Sequence, residues 1–212
     1  MDEYTLMQRF CSIGADCEFG LAQAKFACHP NDLLKNTLSP VSSLIELLNN
    51  DIYALADPAH IRIEVETVEG HFMAYNERFK MRWHGWAKPD GSDQARMVEV
   101  EARRVRRLAD KLIEDIASGE RIFVRKAAPG ESLEDAHALH SALSRHGTNP
   151  SLLWVDQDTG SLEFRSPILH GHITTSAEVP NSSNAPAADW LALCRASVAM
   201  VNLAGLASTS RG

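Results

Sequence analysis

Hydrophobic and polar positions divide the chain into a middle that alternates with period two and flanks in which short apolar runs trade places with helical stripes. From Ile61 to Val68, Ile61, Ile63 and Val65 alternate with Arg62, Glu64 and Glu66. That pattern puts one face of a strand in a core and the other in water. "HFMAY" (71–75) and "RFKMRWHGW" (78–86) are two further strands, expected to form a hairpin through Asn76-Glu77, and Lys88-Pro89-Asp90-Gly91 breaks the chain after them. The middle is therefore antiparallel in character.

The flanks have a different grammar. "RFCSIG" (9–14) predicts a buried strand stopping at Ile13, a turn at Gly14-Ala15-Asp16, and a helix from Cys17 with Phe19, Ala22 and Phe26 at helical spacing. "SPVSSLIELLNN" (39–50) predicts a helix with Ser39 as N-cap, Pro40 at its first position and Leu44, Ile45, Leu47 and Leu48 as its stripe. A longer amphipathic helix spans Ala95 to Ser118, with Val98, Val105, Leu108, Leu112 and Ile116 inward, and passes through Gly119 into the strand "RIFVRK" (121–126). The next helix is capped by Ser132 with Asp135 three residues on, turns Ala136, Leu139 and Leu143 inward, and ends at Gly147 before "SLLWVD" (151–156). Strands "LEFR" (162–165) and "ILHGHIT" (168–174), a loop from Ser176 to Pro186 and a helix from Asp189 to Leu203 complete the chain. Strand, helix, strand with short connections implies right-handed crossovers between parallel strands. The fold class expected is α/β, a three-layer sandwich with a mainly parallel sheet and an antiparallel extension, in one domain over residues 1–205 with a flexible tail at 206–212.

Charge and composition narrow the partners. A formal net charge of -7 opposes non-specific binding to nucleic acid or an anionic membrane, both of which need a basic face. The basic run Arg103, Arg104, Arg106 and Arg107 sits among acidic residues on a predicted helix and reads as a solvated face. No apolar run approaches the about 18 residues that span a bilayer, and the acidic start "MDEYTLMQRF" does not suit a signal peptide, so a cytoplasmic protein is expected. Cys11, Cys17, Cys28 and Cys194 are irregularly spaced and read as free thiols.

Candidate chemistry concentrates at the first turn. A cysteine at the carboxyl end of a core strand and the N-terminus of a helix faces unpaired amides and the helix dipole, which favour a thiolate and could hold an oxyanion. The alternative is that Cys17 packs in the core as a small hydrophobe. Nine histidines offer a base. His137 and His140 read as a helix surface, and His170 and His172 share a strand face but lack a third ligand, so no metal or other cofactor is expected. His84 lies between Trp83 and Trp86, which would wall a water-poor crevice.

The segments "CSIGADCEFGLAQAKF", "DLLKNTLSPVSSLIELL", "RWHGW" and "RRVRRLADKLIEDIASGERIFVRK" resemble a bacterial family of unknown function described as papain-like cysteine peptidases. The resemblance covers Phe10 to Asp156 and rests chiefly on the glycine-x-x-cysteine turn. It implies Cys17 as nucleophile and His84 as its partner, with Asp16 standing where the family motif has asparagine, and it implies an α+β papain-like architecture as the alternative fold. On this reading the chain is a cysteine-nucleophile hydrolase or acyltransferase acting on an ester, thioester or amide of a small-molecule, glycan or peptide substrate. Gly14, Ala15 and Asp16 would form the binding turn, with Trp83 and Trp86 as the wall. The competing reading is a non-catalytic sugar- or nucleotide-binding accessory module in surface-glycan assembly.

Overall fold

A computed structural model describes residues 1–65, 72–85, 93–156, 162–165, 168–173 and 186–209. Its strands are β1 (Phe10–Ser12), β2 (Thr37–Leu38), β3 (Ile61–Val65), β4 (Phe72–Asn76), β5 (Met81–His84), β6 (Ile122–Lys126), β7 (Ser151–Asp156), β8 (Glu163–Arg165) and β9 (Ile168–His172). Its helices are α1 (Glu3–Gln8), α2 (Glu18–Lys25), α3 (Val41–Asn49), α4 (Gln94–Ser118), α5 (Leu133–Leu143) and α6 (Ala187–Thr209).

The alternation of the flanks produces a sheet in the order β1-β6-β7-β9-β8, parallel except for the edge strand β8. Both faces are covered. Phe10, Ile122, Val124, Leu153, Val155 and Leu169 pack with residues of α1, α2 and α6, while Cys11, Phe123, Leu152, Trp154 and Ile168 pack into a cluster shared with α3, α4 and α5. A parallel sheet buried on both faces reads as near-continuous apolar runs, which is how "RIFVRK" and "SLLWVD" are written.

The period-two middle of the chain forms a second sheet, β2-β5-β4-β3, antiparallel throughout. It is a separate sheet rather than edge strands added to the first, and a single parallel bridge between Ile13 and Leu34 links the neighbourhoods. The turn between β4 and β5 occupies residues 77–80, and Asn76 Oδ1 accepts from the amide of Phe79 across it. At its far end Gly85 is obligatory, because a Cβ there would fall 1.9 Å from the Phe72 ring. No described helix is long and apolar enough to cross a membrane.

Several local expectations change. α1, with Asp2 as its N-cap, had no apolar period to announce it. Helix α3 is capped at Pro40 and not at Ser39, because Glu131 takes the Val41 amide at 3.1 Å while the backbone oxygen of Ser39 accepts from Arg125. Helix α5 has the expected capping box of Ser132 and Asp135, but it ends at Ser144. Helix α6 runs to Thr209, into the expected tail. Val68, the break at 88–91 and most of the loop 176–186 lie outside the described residues.

Candidate functional site

The turn after β1 has unusual backbone. Gly14 has φ +90° and a Cβ there would strike Ser39 Oγ at 2.2 Å, so only glycine fits. Ala15 follows at φ +82°, which costs an L-residue of this size local strain. Cys17 is then the N-cap of α2, half-buried, with no side-chain capping bond.

The surroundings oppose a thiolate at this position. Burial and, secondarily, the Asp16 carboxylate push the Cys17 thiol up to about 11. One of the amides that could have held an oxyanion is already taken, since Glu18 N donates to Asp16 Oδ1 at 2.9 Å. The helix terminus thus caps itself, and the dipole effect expected for Cys17 is outweighed by desolvation.

Immediately beyond it lies a closed ionic knot. Glu18 is 1% exposed and Lys126, the last residue of β6, is 5% exposed. Lys126 Nζ donates to Glu18 Oε2 at 2.6 Å and lies 3.2 Å from Asp16 Oδ2, and Trp190 of α6 donates from Nε1 to Glu18 Oε1 at 3.0 Å. Both carboxylate oxygens of Glu18 are engaged, so the buried pair serves as a fastening for this corner of the sheet.

Trp83 and His84 end β5, and Thr37, the partner of Trp83 in β2, also lies beside the turn, since a Cβ on Gly14 would fall 3.4 Å from Thr37 O. Trp83 is buried, and its Nε1 donates to Glu101 Oε2 at 3.2 Å. His84 is exposed and lines a cavity of about 240 Å³ together with Lys35, Asn36, Thr37, Trp83 and Arg104. A second cavity of about 320 Å³ lies along Asn31, Arg104, Arg107 and Leu108, and the two share Asp32 and Arg104. Cys17, Gly14, Ala15 and Asp16 line neither of these two cavities. Trp86 lies outside the described residues.

Charge in this double cavity is predominantly positive. Asp32 is buried but neutralised by Lys111 at 3.1 Å and Arg121 at 3.0 Å. Arg104 pairs with Glu101 at 2.8 Å and still reaches both cavities. Among the described residues neither Lys35 nor Arg107 forms an ion pair, and burial pulls the Lys35 ammonium below the usual lysine range. The basic run of α4 is therefore split: Arg103 faces Glu99 at the surface and Arg106 lies over the Tyr53 ring, while Arg104 and Arg107 face the cavities. Sequence pattern missed Lys35, Asn36 and Arg104 as site residues. The three-residue step from buried Glu101 to Arg104 was the available signal.

The histidines also separate. His140 is half-buried, with Nε2 2.9 Å from Pro150 O, and burial lowers its pKa. His170 and His172, alternate residues of β9, have ring centroids 4.6 Å apart. The third group that the "HGH" strand lacks on its own comes from the neighbouring strand, because Asp156 is in register with His172 and its Oδ2 lies 2.6 Å from His170 Nε2. No family model, curated protein or solved structure matches this chain.

Proposed function

We propose that the chain is a binding module for a small phosphate-bearing ligand, a sugar phosphate or a nucleotide, held in the double cavity between α4, the 30–37 segment and the end of β5. The observation that carries this reading is the convergence of Lys35, Arg104 and Arg107 with the hydrogen-bonding side chains of Asn36, Thr37 and His84 on one concave surface. Lysine and arginine are suited to phosphate oxygens, arginine by its planar fork and lysine as a point charge. The two cavities together fall within the size of small-molecule sites, about 300–1,000 Å³. An accessory role in surface-glycan assembly is one setting for such a module.

The cysteine-hydrolase reading stands second. It is favoured by the strained backbone at Ala15, since strain is often stored at functional turns. Against it stands the raised Cys17 thiol. Calorimetry with a nucleoside diphosphate, a sugar 1-phosphate and pyrophosphate separates the two. Binding that weakens at least about tenfold in Lys35→Ala and falls with added salt supports the module. Turnover of an activated thioester that Cys17→Ser abolishes would establish the hydrolase instead. Because Lys35 has a lowered pKa, phosphate binding should fade at a pH below that at which an ordinary lysine discharges.

A further inference from the structure

We propose that Asp156, His170 and His172 form a binding site for a divalent transition-metal ion at the carboxyl ends of β7 and β9. The three residues come together through register. Strand parity places His170 and His172 on one face of β9, and the parallel pairing of β7 with β9 sets Asp156 beside His172. One donor atom from each residue lies within 4.8 Å of the other two. Donors around an ion bonded at about 2.0–2.2 Å are separated by about 3–4 Å, so small side-chain rotations close the set.

A second observation points to a ligand. His170 is 6% exposed, yet its Nδ1, like that of His172, is buried and has no hydrogen-bond partner among the described residues. Buried imidazole nitrogens are almost always paired, and an ion is one partner that two adjacent rings can share. The carboxylate is meanwhile held in place: Trp154, two residues before Asp156 on the same strand face, donates from Nε1 to Asp156 Oδ1 at 3.1 Å. A fixed outer partner of this kind orients a ligating carboxylate, and the other oxygen, Oδ2, faces His170 Nε2 at 2.6 Å, a contact that metal binding would replace. The neighbouring cation in the same row, Arg125, is in register with Trp154 but engaged by Glu131, so its charge is already matched.

Two imidazoles and one carboxylate suit Zn(II), Co(II), Fe(II) or Ni(II) far better than Mg(II) or Ca(II), and three protein ligands leave coordination positions for water or a substrate oxygen. The sheet face is that of Trp154 and Ile168, opposite the face that carries Lys126 and Glu18, so the ion would be independent of the cysteine turn. It is also independent of the phosphate reading of the α4 cavities, whose lining includes none of these three residues.

The test uses the full chain stripped with chelator and titrated with Co(II) and Zn(II). One equivalent should bind, and a millimolar excess of Mg(II) should not displace it. Asp156→Asn and His172→Gln, both at half-buried positions, should each weaken Co(II) at least about 100-fold, and Trp154→Phe about tenfold. His137→Ala with His140→Ala should change nothing. Because a variant of buried His170 could fail to fold, the wild-type protein supplies a separate readout: Zn(II) should protect the half-buried His172, and not His84 or His137, from diethylpyrocarbonate. Unchanged Co(II) affinity in the Asp156 and His172 variants, thiolate-to-cobalt absorption, no protection of His172, or no binding tighter than millimolar would each overturn the site.

Discussion

Two corners of the same parallel sheet, both at the carboxyl ends of its strands, are built in opposite ways. At the end of β1 and β6, Asp16, Glu18, Lys126 and Trp190 satisfy one another, and the helix terminus is capped from within. At the end of β7 and β9, Asp156, His170 and His172 also come together, yet two ring nitrogens have no partner among the described residues. Open α/β sheets bind ligands outside the carboxyl ends of their strands, and that rule alone would nominate both corners. Polar satisfaction distinguishes them: a corner whose donors and acceptors are spent holds the fold, and one with surplus capacity is available for chemistry.

The sharpest way to break this contrast is to open the closed corner. Lys126→Met leaves the Glu18 carboxylate buried without its cation and should destabilise the protein by about 3–5 kcal/mol in denaturant melts. Replacing Glu18 by leucine in the same variant should recover part of the loss, because the uncompensated charge goes with it. A double variant no more stable than Lys126→Met would mean the knot is something other than a fastening.

Next in size is the thiol at its edge. With its pKa raised from about 9 to about 11, Cys17 should alkylate about 100-fold more slowly at neutral pH than an unstructured cysteine. It should still react ahead of Cys11, Cys28 and Cys194, which are fully buried. Asp16→Asn keeps an oxygen for the Glu18 amide and removes the adjacent negative charge, so alkylation should speed up. The linked effect on stability has a definite sign. Between pH 9 and about 11 the unfolded chain gives up this proton before the folded one, so stability should fall as pH rises through that window. A pH-rate profile and melts at two alkaline pH values measure both.

Smaller effects sharpen the picture at the open corner and in the turn. Trp154→Phe removes one hydrogen bond to a partly exposed carboxylate and should cost about 1 kcal/mol beyond any repacking of the ring. Ala15→Gly relieves a positive φ and should stabilise by about 0.5 kcal/mol, the strain removed exceeding the added freedom of the unfolded chain. A destabilised Ala15→Gly would show that the turn is held by contacts of the methyl group.

How far these corners were legible in the sequence depends on the range of the interactions. The capping box at Ser132 and the stripe of α4 are local and stand in the sequence as they do in the fold. Ser39 carries an equally good N-cap signal, but Arg125, 86 residues away, claims its oxygens. Strand β2 has only two residues, too few for any period to register. The turn at Gly14 to Cys17 was placed correctly, while the chemistry inferred from it depended on burial and on whether Asp16 would turn back onto the Glu18 amide. Asp156 reads as the polar end of a strand, and nothing local sets it beside His172. That neighbour follows from strand order, with β9 adjacent to β7.

The bond from Trp190 to Glu18 joins residues 172 positions apart, and β1 pairs with β6 across more than a hundred residues. On a ribosome, therefore, the first strand emerges long before its neighbour, and Glu18 waits for most of the chain before its last donor arrives. Until α6 has been made, the apolar layer over β1, β6 and β7 has only α1 and α2 for cover, and the nascent protein presents the remainder, with Val155 and Leu169, to whatever binds such surfaces. Synthesis should accordingly proceed with chaperone engagement that ends only when the tryptophan of the final helix has left the exit tunnel.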